Sequence, residues 1–376
     1  GGTMCDGGTR ALTVSFIGTA PFSFTYAING TPQAPISTSD NPYILNATLA
    51  GTYSVVNVTD NAGCTGPGSG TATITYFPKP TGIISGTAEL CRGSQATITM
   101  TFTGVPPYTF TYTDGTTPVT VTNHPNSVYT ANVSPSVSST YTLVSLSDGN
   151  NCDGVLSGQA TINVNQPPSL TLTGTDLICH NVPTGAVDLT ITGGTSPFGI
   201  SWTGPNGFTS TAEDISGLNE GYYAVTVSDS KGCHATANIT IMQPRPLYAA
   251  VDRTNVTCYG ADDGTITISG SDGGSGFYEY SIDGGIAWSN DVTYTGLAPG
   301  TYVVMIRDLV NPTCMLTLNP GLQITGPPIL SGTVGKTDIT CHGSHDGTIT
   351  ISNPAGGYGT YQYSHNGGTD WQDSPL

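Results

Sequence analysis

The residues best equipped for chemistry in this chain are its 9 cysteines, at Cys5, Cys64, Cys91, Cys152, Cys179, Cys233, Cys258, Cys314 and Cys341. A thiolate can act as a nucleophile, ligate a metal or join another sulfur. Three of the nine precede a histidine, at Cys179–His180, Cys233–His234 and Cys341–His342. A nucleophile and its base must face each other, and neighbours on a strand point to opposite faces, so these pairs do not make a catalytic couple. The stretch "CHGSH" offers His342 and His345 as metal ligands, yet the matching turn around Cys258 reads "CYGAD". A ligand pair missing from its sister turn reads as loop decoration. The chain has no C-x-x-C, no G-x-S-x-G and no phosphate-type glycine loop, so it is read as a non-enzyme.

A second recurrence involves carboxylates. Asp60, Asp148, Asp229 and Asp308 each end an alternating apolar run a few residues before a cysteine, in "GTYSVVNVTDNAGC", "STYTLVSLSDGNNC", "GYYAVTVSDSKGC" and "GTYVVMIRDLVNPTC". Asp263 and Asp346 recur in "DGTITIS". Calcium takes six to eight oxygens and rigidifies many extracellular modules, which makes the four strand-end aspartates calcium candidates. The alternative is an Asx turn, in which the carboxylate caps nearby backbone amides. Each cluster supplies only one or two carboxylates, so the expectation is no cofactor, with calcium as the exception to test.

These recurrences set the architecture. Alternate cysteines, Cys5, Cys91, Cys179, Cys258 and Cys341, are spaced about 80–90 residues apart, and the first four are each followed by a partner about 55–60 residues on, the mark of tandem repeats. Pro-rich seams, "YFPKPTG", "NQPPS", "QPRPLY" and "GPPILS", separate the repeats and act as semi-rigid spacers. The expected modules are 1–78, 79–166, 167–243, 244–326 and a truncated fifth at 327–376. The simplest pairing is inside each module, Cys5–Cys64, Cys91–Cys152, Cys179–Cys233 and Cys258–Cys314, with Cys341 unpaired because its module stops at "WQDSPL". Sequence leaves the connectivity open. Pairing between modules would replace a string of independent beads with a covalently linked fibre. Each bridge over about 60 residues is worth roughly 4 kcal/mol in the chain-entropy picture, and it implies an oxidising, extracellular setting.

Composition agrees. Charged residues are 9% of the chain and the net charge is −17 with Lys+Arg 8, which excludes nucleic acid and anionic membrane as partners. No apolar run is long enough to span a bilayer, so no membrane insertion is expected. Gly 50 and Pro 26 punctuate short runs of Val, Ile, Tyr, Phe and Thr, which predicts strands and turns. Period-two stripes such as Phe22, Phe24 and Tyr26, or Tyr108, Phe110 and Tyr112, read as half of a sandwich core. The fold class is therefore all-β, with tandem immunoglobulin-like β-sandwich modules in an elongated rod. The tyrosines Tyr53, Tyr141, Tyr223 and Tyr302 lie too far from their cysteines to be the antibody tyrosine corner. Tyr-to-Asp spacing is one residue longer in the first two modules than in the next two. That extra residue flips side-chain parity, which predicts a β-bulge near Val55–Val56 and near Leu143–Val144.

The stretch "TCYGADDGTITISGSDGG…YEYSIDGG…W…GLAPGTYVVMIRD…C" resembles the SprB repeat of Bacteroidetes cell-surface adhesins. The resemblance covers 258–314, then 341–371, and extends to 179–233, where "CHNVPTGAVDL" lacks the usual D-G. Modules one and two resemble the immunoglobulin- or PKD-like repeats that accompany SprB repeats. What the resemblance implies is a stalk segment of a very large secreted surface protein of the gliding-adhesin or filament type, exported by type IX secretion. The expected partners are neighbouring modules of the same chain, other copies in a filament, or surface polysaccharide. Two alternatives remain. One is a self-assembling fibre subunit. The other is a carbohydrate-binding accessory array, which needs exposed aromatics and has Trp202, Trp288 and Trp371 to offer.

Overall fold

The computed structural model describes residues 1–375 and consists almost wholly of strands, with one short 3-10 turn at Pro205–Gly207. Two compact units are present. One contains Gly1–Ser169 together with Gly193–Phe198 and Ser228–His234, and the other contains Leu170–Thr192, Gly199–Val227 and Ala235–Leu376.

Sheets form locally along the chain. In the first sandwich, Arg10–Val14 pairs with Tyr43–Ala47 as a two-stranded sheet. The facing sheet has the order Gly2–Met4, Thr71–Tyr76, Gly51–Thr59, Phe22–Ile28, Thr31–Pro32. Its first pair is parallel and the rest are antiparallel. In the second sandwich the sheets are fuller. Val128–Val133, Ala96–Phe102, Thr81–Ser85 and Val155–Gly158 make one. Ala88–Cys91, Ala160–Asn165, Ser139–Ser147, Tyr108–Thr113 and Pro118–His124 make the other. Two sheets also form within 169–241 and two within 248–324, and Ser331–Thr337 with Thr348–Ala355 makes a final antiparallel pair.

The aromatic stripes fill the interior, as their period predicts. Phe22, Phe24, Tyr108, Phe110, Tyr112, Trp202 and Tyr280 are buried, and the cores pack them against Ile, Val and Leu of the opposing sheet. Burying such side chains is the main source of stability for so small a sandwich.

Both expected bulges are present. Against Phe22–Ile28 the register steps from Asn57 to Val55 and leaves Val56 without a partner. Against Tyr108–Thr113 it steps from Ser145 to Leu143 and leaves out Val144. Both skipped valines face solvent, as a parity flip requires. The pairing of Gly300–Asp308 with Tyr278–Ser281 runs without a step. In 221–228 Tyr223, Val225 and Val227 keep one buried face throughout.

Strand directions fix where each cysteine lies. Gly2–Met4 runs beside Thr71–Tyr76, so Cys5 sits where the chain leaves the first sandwich, with the Phe77 amide donating to the Met4 carbonyl at 2.9 Å. Gly51 starts at that same end, opposite Ile74, and the 9-residue strand Gly51–Thr59 carries the chain to the other end before Cys64. At about 3.3 Å per residue the two cysteines of one sandwich lie roughly 25–30 Å apart. A disulfide needs Cα atoms within about 7 Å, so pairing inside a sandwich is ruled out by its topology.

Candidate functional site: the cysteine and aspartate corners

Each Asp–Cys turn is built by its aspartate. The Asp60 amide donates to the Cys64 carbonyl at 3.0 Å, and its Oδ1 accepts the amides of Ala62 (3.0 Å) and Cys64 (2.9 Å). Asp148 repeats this with Asn150 and Cys152, and Asp229 with Lys231 and Cys233. Asp308 accepts Val310 and Asn311, both at 2.8 Å. The second carboxylate oxygen ties the turn to the loop across the sandwich, taking the amide of Thr19, Val105, Thr195 or Ser275 respectively.

Three or more N–H or O–H groups point at each carboxylate, which is the Asx-turn arrangement. Among the described residues no group of three His, Cys, Asp or Glu is arranged to hold a metal ion. Amide donation from Cys64 and Thr19 holds the Asp60 carboxyl below its ordinary range. Burial pushes the Asp308 carboxyl up, but the bonds from Asn311, Ser275 and Val310 together outweigh it and lower it.

The turn exists to place its cysteine. Val155 lies beside Thr81 in a parallel pair, and its amide donates to the Pro80 carbonyl at 2.9 Å, so Cys152 stands where the chain enters the second sandwich. Cys5, at the exit of the first sandwich, faces it, and the two are bonded with Cα atoms 5.3 Å apart. Cys91 lies opposite Asn165 at the exit of the second sandwich and is bonded to Cys233, Cα–Cα 5.4 Å. Cys179 is bonded to Cys314 at the same spacing. The expected pairs Cys5–Cys64, Cys91–Cys152, Cys179–Cys233 and Cys258–Cys314 are thus corrected. Each bridge joins the exit of one repeat to the entry turn of the next, because the two ends of a single sandwich are too far apart. Cys64, Cys258 and Cys341 are exposed free thiols.

Polar contacts decorate the joints. Lys79 meets Asp6 at 3.0 Å next to the first bridge. Lys231 meets Glu89 at 2.7 Å next to the second, where Asn165 also donates to Glu89. The Lys231 ammonium, then the Asn165 amide, hold the Glu89 carboxyl low. Exposed pairs of this kind contribute little, so the sulfurs carry the connection.

A second corner supports the first cysteine of the later repeats. Asp263 accepts both the Thr257 amide (2.9 Å) and the Thr257 hydroxyl, and Asp346 does the same for Thr340. In the repeat that lacks D-G, Thr184 takes this place and its Oγ1 accepts the Ile178 amide at 2.8 Å. The role is kept with a different side chain.

Three of the strand tyrosines form a tyrosine corner, against the sequence expectation. The Tyr53 hydroxyl donates to the Leu49 carbonyl at 2.8 Å, Tyr223 to Asn219 at 3.0 Å and Tyr302 to Ala298 at 2.9 Å. This is the hydrogen bond of a tyrosine corner, reaching four residues back. Distance to the cysteine concealed it; distance to the preceding turn would have found it.

The remaining chemistry-bearing residues are dispersed. Cys179 and Cys233 are oxidised, and His180 is held by the Pro244 carbonyl at 3.1 Å. Trp202 is sealed in its core, Trp288 carries the Arg307 guanidinium 4.4 Å above its ring, and Trp371 is exposed. Among the described residues no helix is long and apolar enough to cross a membrane.

Residues 250–286 and 333–370 match the SprB repeat. Residues 179–233, with Thr184 in place of the aspartate, lie outside the matched segments. No curated protein matches the chain significantly. Among solved structures, the eight N-terminal immunoglobulin domains of Down syndrome cell adhesion molecule align over 86% of this chain and 48% of that one, at 12% identity and a TM-score of 0.36. The chain thus spans about half of that structure. A structure described for host cell surface retention of a 1.5-MDa bacterial ice-binding adhesin aligns over 63% of this chain and 91% of its own, at 19% identity and a TM-score of 0.30. Three domains of the bacteriophage RB49 outer capsid protein Hoc align over 65% and 95%, at 13% identity and 0.27. The segments 250–286 and 333–370, which are similar to the SprB repeat, thus lie within a tandem array of immunoglobulin-like β-sandwiches.

Proposed function

We propose that the chain is a load-bearing stalk segment of a secreted cell-surface adhesin, a non-enzymatic spacer whose modules are covalently laced to one another. The observation that carries this reading is the overlap of the three disulfides. Cys91 lies inside the loop closed by Cys5–Cys152, and Cys179 lies inside the loop closed by Cys91–Cys233. A pull applied across Cys5 and Cys314 can pass through Cys5–Cys152, the backbone to Cys179, and Cys179–Cys314. That route contains about 27 residues of extensible backbone, which reach roughly 90–100 Å, against roughly 1,000 Å for the whole backbone between the same points. The SprB repeats and the oxidising setting that such bridges require support placement at the cell surface. Gliding motility and type IX export belong to this proposal as the setting in which a SprB-type stalk would work.

Stretching the oxidised chain from its two ends tests the reading. Extension between Cys5 and Cys314 should stop near the shorter limit, and a reductant should release a further several hundred ångströms. Full-length unfolding steps under oxidising conditions would remove load bearing as the function.

A second reading, a filament subunit that joins other copies, is favoured by the uncovered entry turn at Asp60 and Cys64. The carbohydrate-binding alternative retains Trp371 as its one exposed tryptophan.

A further inference from the structure

The second sandwich presents a sheet edge that the other sandwiches do not. Pro118–His124 is the outermost strand of its sheet, paired with Tyr108–Thr113 on one side and with no other strand among the described residues. It is 7 residues long and alternates Val119 and Val121 with Thr120 and Thr122. Val121 packs against the core, while Val119 is 40% exposed at the rim. Thr120 lies on the other face, where its hydroxyl pairs with that of Thr111 at 2.9 Å.

After the aromatic strand, the other sandwiches keep this edge short. The first has Thr31–Pro32 and Ile36–Thr38, interrupted by Pro32 and Pro35. The third has only Thr209–Ser210, followed by Glu213 and Asp214. The fourth has an isolated bridge between Tyr280 and Ser289, flanked by Asp283 and Asp291. Short strands, prolines and charges are the means by which a sheet avoids pairing with another chain. Pro118, at the first residue, is the one such device in the strand 118–124.

Charge points the same way. The chain carries −17, yet Asp114 is the one charged residue between Arg92 and Asp148. Two acidic chains meet least repulsion where neither bears charge. The edge also selects its partner, because Val119-Thr120-Val121 reads the same in both directions. An antiparallel copy centred on Thr120 sets Val119 against the partner's Val121 and Thr120 against the partner's Thr120. Facing threonines are a recurrent pair in this protein, with hydroxyls 2.8 Å apart at Thr81–Thr103 and Thr254–Thr265.

We propose that two copies of the chain pair through Pro118–His124, antiparallel about a two-fold axis at Thr120. The recognition is strand addition, with backbone pairing for attachment and the valine rims covered on the core face. A single strand edge buries less than a permanent interface does, so the contact is weak and reversible. It uses no cysteine, and load bearing along one chain neither requires it nor excludes it.

Sedimentation of the full oxidised chain, with Cys64, Cys258 and Cys341 alkylated, tests the pairing from about 1 μM to 1 mM. The mass should rise from one copy to two and stop there. Thr120→Lys and Thr120→Glu each set like charges opposite one another and should weaken association at least about tenfold. An equimolar mixture of the two variants should restore it, because position 120 of one copy meets position 120 of the other. A single copy at every concentration, or growth past two copies, overturns the proposal. So does association indifferent to both substitutions, or a mixture that associates no more tightly than either variant alone.

Discussion

The first and second sandwiches share strands, bulge and Asp–Cys turn, yet differ in what surrounds them. In the second, the entry turn is buried, Cys152 is bonded to Cys5, and Thr81–Ser85 closes the core. In the first, Cys64 is free and a cavity remains beside Arg10–Val14. The same Asp–Cys turn is thus buried where its cysteine is bonded to another repeat and more exposed where it is not.

The sharpest way to break this contrast is at the sulfurs. Cys152→Ser opens a loop of sequence separation 147, which the chain-entropy estimate values at about 5 kcal/mol. Cys64→Ser removes an exposed thiol and should change stability by less than about 0.5 kcal/mol. Denaturant unfolding of the two variants should show this ordering, and equal effects would erase the distinction.

The carboxylates come next. Asp148→Ala strands the amides of Val105, Asn150 and Cys152 in a buried corner, at a cost of about 2–4 kcal/mol. Asp60→Ala leaves its amides near water and should cost about 1 kcal/mol. Thermal unfolding of the pair measures the difference, which should vanish if the two corners are equally covered.

The smallest effect is in acid. Asp114, in the turn after Tyr108–Thr113, has its carboxyl lowered to about 2 by the amides of Thr117 and Thr116 and the Thr116 hydroxyl. A depressed carboxylate adds stability that is present above its unfolded value near 3.9 and is lost as pH falls through the folded value. The turn should therefore loosen between about pH 4 and pH 2, and Asp114→Asn should remove that dependence. Carbon-detected NMR titration of the Asp114 carboxyl would show it; an ordinary midpoint would refute the turn's contribution.

Much of this architecture can be read from residue order. Alternation of Val, Ile, Tyr and Thr marks strands, and one extra residue between Tyr53 and Asp60 marks the bulge at Val56, because side-chain parity has only two settings. The sulfur partners are less legible. Spacing says that Cys5 and Cys64 recur together, but their separation in space depends on the direction of every intervening strand. The clue is the parallel pairing of Gly2–Met4 with Thr71–Tyr76, a long-range contact that leaves no local signature. The tyrosine corner is legible in principle, since Tyr53 and Leu49 are only four residues apart.

The interlaced bridges also bear on cleavage. Every peptide bond from Cys5 to Cys314 lies under at least one of Cys5–Cys152, Cys91–Cys233 and Cys179–Cys314. A protease that nicks any single loop in this span, including the proline seam between Asn165 and Ser169, leaves the two fragments tethered. Damage that would sever an ordinary string of domains is here a local wound, and the segment keeps its continuity until a second cut or a reductant arrives.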